Sequence, residues 1–354
     1  MKDKIIVFLF IGYLFTFSIL HIVIKDKEIS ETERRNLKTF PQFKLTNNYI
    51  TEIDEYLLEH FPFRDEFRSI KANFNYNILY KLDNNNIYLK DNYIYKSNYP
   101  TNYKSIENFK NKINKLSNLL TQNNNTYIMI IPDKNYYLED ENFLHIEYDY
   151  IYNEIEKLNI KTIDIRHLMN IKDYYETDTH WKQENLNKVI YELSKYMNFN
   201  YQNYTYKENI YKNFYGVYYG ESAINRNPEK LTYLTNDIIH NAKVYYLENN
   251  KLNKVYNEEK LTKLDSYDIF LDGASSYIEI TNEYNVSGRE LVIFRDSVGS
   301  SITPLLIPYY SKITLIDNRY INSEIFKNYI NFDNQDILFL YSTLLVNESG
   351  SLKG

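Results

Sequence analysis

The chain has 354 residues, a formal charge of −6 and no cysteine. Disulfides and thiolate metal or redox centres are therefore excluded, and the acidic balance excludes a general nucleic-acid binder, which needs a basic face. Apolar residues at 44% and aromatics at 17% supply a large core and exclude wholesale disorder. The tyrosine excess suits core edges and sugar-facing surfaces; AT-rich coding produces the same bias toward Asn, Ile, Lys and Tyr.

From Ile5 to Ile24 the sequence is almost wholly apolar, broken only by Thr16, Ser18 and His21. That length meets the ~20 helical residues needed to cross a hydrocarbon core. Lys2 and Lys4 precede it and favour a cytoplasmic N-terminus. No small-x-small site stands before Lys25, so the expectation over residues 1–24 is an uncleaved transmembrane signal anchor, not a removed signal peptide. Everything after it is then extracytoplasmic, a location with which the lack of cysteine is compatible. Residues 25–36 read as a charged tether and 44–80 as helices, broken at Phe61-Pro62-Phe63-Arg64, because proline biases its predecessor away from helix. Together 25–85 form the expected tether and helical segment.

Residues 86–96 alternate as a hairpin turning at Asp91-Asn92, and Ser105–Leu120 carries a helical period through Ile106, Phe109, Ile113 and Leu116. Short apolar runs then recur at Tyr127–Ile131, Lys161–Ile165, Tyr267–Leu271, Leu291–Phe294, Ile313–Ile316 and Ile337–Tyr341. Helical stretches are expected near 147–158, 183–197, 301–310 and 323–331. Continuous apolar strands alternating with helices predict an α/β domain over 86–354, with a mostly parallel sheet covered on both faces. Residues 200–262 break the rhythm and read as a polar, Tyr- and Asn-rich insertion. In such sheets ligands sit beyond the carboxyl ends of the strands, so the candidates are the residues just after each apolar run.

Ser297 follows the Leu291–Phe294 run in Arg295-Asp296-Ser297-Val298-Gly299. A serine at a strand-to-helix turn is exposed at the sheet edge, and the free N–H groups of Ser297 and Val298 are candidate oxyanion donors. Alternatively, Ser297, Ser300 or Ser301 simply caps the helix. In Asp178-Thr179-His180-Trp181, extended backbone puts Asp178 and His180 on one side, where a carboxylate can orient an imidazole as in nucleophile–base–orienter sets. Gly273, after the Tyr267–Leu271 run, is a candidate second oxyanion donor or an ordinary turn. Lys134, after Tyr127–Ile131, is a candidate contact for an anionic or hydroxyl-rich ligand, and Arg295 and Trp181 join it as candidate substrate contacts. There is no HExxH and no close histidine pair. Asp178, His180 and Glu184 make only a weak metal set, so neither metal nor cofactor is expected.

In order, Glu33-Arg34-Arg35-Asn36-Leu37…Pro41, Phe61-Pro62-Phe63-Arg64, Asp178-Thr179-His180-Trp181, Tyr267-Asp268-Ile269-Phe270-Leu271-Asp272-Gly273, Arg295-Asp296-Ser297 and Ile316-Asp317-Asn318-Arg319-Tyr320 resemble the segments of the Gram-positive DHHW family. That family is related to the alginate O-acetylation proteins of the SGNH-hydrolase-like superfamily. The resemblance spans nearly the whole chain. It implies a three-layer α/β/α sandwich, with Ser297 as nucleophile, His180 as base and Asp178 as orienter. It further implies O-acetylation of a cell-surface polysaccharide, or acetyl-ester hydrolysis, with acetyl groups supplied by a multi-pass membrane acyltransferase. The alternative is a non-catalytic polysaccharide-binding or scaffold component of a cell-envelope complex. Thr179 replaces the second position of the DHHW signature, Lys182 and Asn185 stand where the family often has Thr and Gly, and Arg295 replaces the glycine of the superfamily's Gly-Asp-Ser.

Overall fold

The computed structural model describes residues 2–44, 48–138, 142–248 and 251–353. It divides into two compact units, Met1–Asn85 with Tyr219–Arg226, and Asn86–Tyr218 with Asn227–Gly354. The first unit opens with α1 (Lys2–Val23), the one helix among the described residues long and apolar enough to cross a membrane. Its flanking helices are α2 (Asn48–Glu59) and α3 (Arg64–Asn77). They are separated where Phe63 adopts a left-handed φ of 59° ahead of Arg64, so the chain turns at the predicted break. Part of the expected 44–80 stretch, residues 45–47, lies outside the described residues. Glu33 gathers the guanidinium groups of Arg35, Arg64 and Arg68 at 3.1, 2.7 and 3.4 Å. The E-x-R and F-P-x-R segments thus meet in one ion cluster, a structural role. Arg68 also holds the returning segment by donating to the carbonyls of Gly220 (3.1 Å) and Glu221 (3.3 Å).

The second unit carries the sheet. Its hairpin, β1 (Ile87–Lys90) and β2 (Tyr93–Lys96), closes on Asp91-Asn92 with Lys90 opposite Tyr93. The remaining strands are β3 (Asn125–Ile131), β4 (Lys161–Thr162), β5 (Lys207–Phe214), β6 (Glu229–Thr235), β7 (Lys243–Tyr246), β8 (Lys251–Asn253), β9 (Tyr277–Thr281), β10 (Glu290–Arg295), β11 (Lys312–Ile316) and β12 (Asp336–Ser342). The eight-stranded sheet runs β8-β7-β9-β11-β10-β12-β3-β4. From β11 to β4 every pairing is parallel. The β9, β7 and β8 side is antiparallel. The fold is therefore mixed α/β with a large, mostly parallel sheet.

The inner strands explain their own position. All seven residues of β12 are buried, as a strand covered on both faces requires. Leu338 and Leu340 face one core with Leu291, Ile293, Met129 and Ile131. Ile337, Phe339 and Tyr341 face the other with Val292, Phe294, Ile128 and Ile130. Helix α6 (Asn187–Met197) packs Val189, Ile190, Leu193 and Met197 into the first core, joined by Ile302, Leu305 and Leu306 of α7 (Gly299–Leu306). The second receives α4 (Tyr103–Ser117) through Ile106, Phe109, Ile113 and Leu116, and α5 (Tyr148–Glu156) through Ile151 and Ile155. Each such aliphatic side chain contributes about 1.5–3 kcal/mol through burial.

Two expectations change. The Tyr267–Leu271 run is not a strand: Ser266–Ile269 forms a 3-10 turn, with one bridge pairing Phe270 to Tyr256. Leu271 and Asp272 then take left-handed φ values of 53° and 59°, which a strand cannot contain. The 200–262 stretch is not a polar excursion either. Its β7 and β8 extend the main sheet, and Leu231, Val244 and Tyr246 lie in the core.

Candidate active site

Four parallel strand ends bring their terminal and following residues to one rim: Pro132–Lys134 after β3, Asp296–Val298 after β10, Asp317–Arg319 after β11, and Ser342–Thr343 at the end of β12. Between them lies a cleft of about 270 Å³ whose wall includes Ser297, Asp296, Trp181, Asp133, Arg319 and Leu345.

Ser297 sits in the tight turn between β10 and α7. Asp296 fixes that turn from beneath: Oδ2 accepts from the N–H (3.0 Å) and hydroxyl (2.6 Å) of Ser342, and Oδ1 from the Val298 N–H (3.2 Å). The Ser297 turn is thereby tied to the end of the neighbouring strand. His180 comes from the 175–182 loop, closed by the bridge between Tyr174 and Trp181. The Trp181 indole N–H donates to the Val298 carbonyl at 3.0 Å, holding the loop against the turn.

His180 Nδ1–H donates to Asp178 Oδ1 at 2.5 Å, which leaves Nε2 to accept from the Ser297 hydroxyl at 2.8 Å. Asp178 is itself oriented by the His180 N–H (3.0 Å to Oδ1) and the Val217 N–H (2.8 Å to Oδ2). Burial alone would push the Asp178 carboxyl up. The His180 charge and hydrogen bond, with the two backbone N–H groups, outweigh burial and hold it well below the usual carboxylate range. A hydroxyl on an imidazole whose far nitrogen faces a carboxylate can lose its proton as it attacks an electrophilic carbon.

The other sequence candidates divide. Trp181 and Val298 line the cleft with Ser297. Lys134 does not reach it. The residue is 1% exposed, and its ammonium donates to the carbonyls of Tyr175 (3.1 Å) and Glu176 (3.0 Å) and lies 5.0 Å from the Tyr218 ring centroid. Desolvation lowers it to about 7, against the pull of Asp178, Glu229, Asp133 and Glu176. Lys134 braces the His180 loop from below, and no ligand can touch it there. Arg295 is equally interior, donating to the Ser300 hydroxyl (2.6 Å) and the Gly273 carbonyl (3.4 Å). It is a packing arginine, not a substrate contact. Gly273 does not offer a second oxyanion donor, because its N–H closes a turn on the Phe270 carbonyl at 3.2 Å. Its glycine identity answers to a φ of +79° and to Asp268, 2.1 Å from where a Cβ would stand. The Val298 N–H is partly engaged by Asp296, as above.

Sequence reasoning missed four supports. Tyr267 stacks flat on the His180 imidazole, centroids 3.8 Å apart and planes 8° apart, and donates to the Ser301 hydroxyl at 2.8 Å. Glu229 accepts from the Glu176 N–H (2.6 Å), the Thr177 N–H (2.7 Å) and the Thr177 hydroxyl (2.6 Å), pinning the loop just before Asp178. At Gly216 a Cβ would stand 2.2 Å from the Thr177 carbonyl oxygen and 2.4 Å from Asp178 Cβ, so only glycine lets this segment approach. Asp268, in the same turn as Tyr267, is raised to about 6 by burial and by Asp265, with Lys260 and His180 opposing. The first, third and fourth had a signal, since Tyr267 and Asp268 stand in a family segment and Gly216 is one of only eight glycines. Glu229 had none.

No family model matches the chain, and no curated protein aligns with it. Among solved structures, a DHHW family protein from Eubacterium siraeum DSM 15702 superposes with a TM-score of 0.60 at 20% identity, over 77% of this chain and 97% of its own. Bacillus cereus PatB1, solved with a sulfonyl adduct, gives 0.60 and 20% over 73% and 97%. The O-acetyltransferase domain of Pseudomonas putida AlgJ gives 0.43 and 12% over 74% and 92%. The first two share this chain's fold. The likeness to the DHHW family that the motifs carry is thus met again in three dimensions.

Proposed function

We propose that the chain is a membrane-anchored, extracytoplasmic O-acetyltransferase of a cell-surface polysaccharide, built on a three-layer α/β/α sandwich of the SGNH-hydrolase-like kind. The observation that carries this reading is the continuous line Asp178–His180–Ser297, with contacts of 2.5 and 2.8 Å. Ser297 Oγ attacks the acetyl carbonyl as its proton passes to His180 Nε2. The tetrahedral intermediate collapses, the donor's oxygen leaves with the proton from His180, and the acetyl group remains on Ser297. A sugar hydroxyl then gives its proton to His180, attacks the acyl-enzyme and departs acetylated, and His180 returns the proton to Ser297. Water in place of the sugar makes the same site an esterase. Asp178 stays ionised throughout and stabilises the transient imidazolium. Helix α1 holds the domain at the membrane, where a multi-pass acyltransferase would deliver acetyl groups. The motif resemblance to the DHHW family supports this placement.

The test uses the full chain purified in detergent, with a chromogenic acetyl ester and a sulfonyl fluoride. We expect ester turnover and covalent labelling at Ser297, both abolished in Ser297→Ala. Turnover retained by a folded Ser297→Ala protein would remove the acyl-enzyme. Glycan affinity with neither turnover nor labelling would leave the scaffold reading in its place.

A further inference from the structure

We propose that Arg319 is a catalytic donor of the Ser297 site: the free edge of its guanidinium takes the oxygen that becomes negative when Ser297 attacks the acyl carbonyl. This rests on the acyl-transfer reading above and deepens it.

Arg319 follows β11, the strand paired in parallel with β10, so both residues stand at the same sheet edge and line the same cleft. The guanidinium is held rigidly on one side only. Asp317, wholly buried, accepts from Arg319 Nε at 2.9 Å and its backbone N–H at 3.1 Å through Oδ1, and from Nη2 at 2.6 Å through Oδ2. No described residue accepts from Nη1. A buried ion pair made for stability alone gains little over apolar packing, whereas a fork fixed at one edge and open at the other is preorganised for an incoming oxygen.

The cleft leaves that role only partly filled. A tetrahedral oxyanion needs donors aimed at its final position. The Gly273 N–H is engaged by Phe270, the Val298 N–H is shared with Asp296, and only the Ser297 N–H finds no acceptor among the described residues. Arg319 is the one cation among the described cleft-lining residues. Of the carboxylates in the lining, Asp133 is taken up by Thr343 and Tyr148 and Asp296 by Ser342 and Val298, and Glu348 makes no ion pair with Arg319. As the carbonyl π pair moves onto oxygen, Arg319 donates a hydrogen bond without transferring a proton. The pair returns on collapse, and the leaving oxygen takes its proton from His180.

The experiment measures kcat and KM for the chromogenic acetyl ester with the full chain, its Ser297→Ala, Arg319→Gln and Arg319→Lys variants, and the double variant Asp317→Asn/Arg319→Gln. The double variant keeps folding testable, since Arg319→Gln alone strands the buried Asp317 charge. Expected is a fall in kcat of about 10²–10³-fold in Arg319→Gln and in the double variant, with KM within about twofold, an unchanged thermal midpoint in the double variant, and partial rescue by added guanidinium. A folded double variant with kcat within about threefold of the parent would overturn the assignment. So would an intact ester rate with a raised KM for polysaccharide alone, which would make Arg319 an acceptor contact. Parent protein that turns over no ester, or an active Ser297→Ala, would instead refute the acyl-transfer reading and this inference with it.

Discussion

At the level of single residues, the decisive contacts connect positions far apart in the chain, and each makes its own prediction. Asp178→Asn should preserve the fold but reduce ester turnover by roughly 10³–10⁴-fold, because an amide can reverse the imidazole tautomer and cannot stabilise its cation; steady-state kinetics of the folded variant check this. Lys134 gives a pH signature. A lysine lowered to about 7 when folded binds fewer protons than in the unfolded chain between that value and its ordinary one, so stability rises with pH across this window. The thermal midpoint of the parent relative to Lys134→Met should therefore climb from pH 7 to about 10, by up to a few kcal/mol in stability. A flat difference would refute the lowering of Lys134 by burial. Asp178, His180 and Ser297 were legible because aspartate two positions from histidine, and serine directly after an apolar run, are patterns with a chemical reason. Lys134 and Arg295 were misplaced for a physical reason as well. Sequence puts a cation at a strand end but does not reveal whether carbonyls and ring faces have already claimed it.

Among the elements, the site depends on how tightly one loop is pinned. Residues 175–182 have no ladder beyond the single bridge at Tyr174 and Trp181, so scattered backbone bonds, such as Tyr218 N–H to the Thr177 carbonyl, and side chains together fix them. Gly216→Ala should push Thr177 and Asp178 away, costing about 1–3 kcal/mol of stability and slowing sulfonyl labelling of Ser297 more than that loss explains. Trp181→Phe removes the indole N–H that ties the loop to the Val298 carbonyl and leaves a smaller ring in a fully buried site, and should lower stability by about 1–3 kcal/mol, read by chemical denaturation. The parallel strands were legible from their continuous apolar runs, and the hairpin from its alternation. Strand β9 was not, because YIEIT is only five residues beside a polar loop. The Tyr267–Leu271 run deceived because short apolar runs look alike whether they become strand or buried turn, and the left-handed pair Leu271-Asp272 leaves no mark in hydrophobicity.

For the whole molecule, the proposed membrane anchor and the proposed export of the domain behind it stand or fall separately. Helix α1 has no buried residue in its own environment, which suits lipid as solvent. The full chain expressed in cells should pellet with membranes and resist an alkaline carbonate wash, while a protease added outside the cytoplasmic membrane should reach the residues after Lys25. Release by carbonate would refute the anchor. The membership of Tyr219–Arg226 in the first unit had no sequence signal, since it arises from Arg68 reaching two backbone carbonyls.

The flat stacking of Tyr267 against His180 has one further outcome. A ring clamped on its face and tethered at its far nitrogen can neither flip nor swing, so it can serve only a single direction. On the acyl-transfer reading proposed above, donor and acceptor would approach that nitrogen through the same doorway in turn, the first departing before the second enters. Kinetics should then follow strict alternation, with an excess of either participant competing against the other.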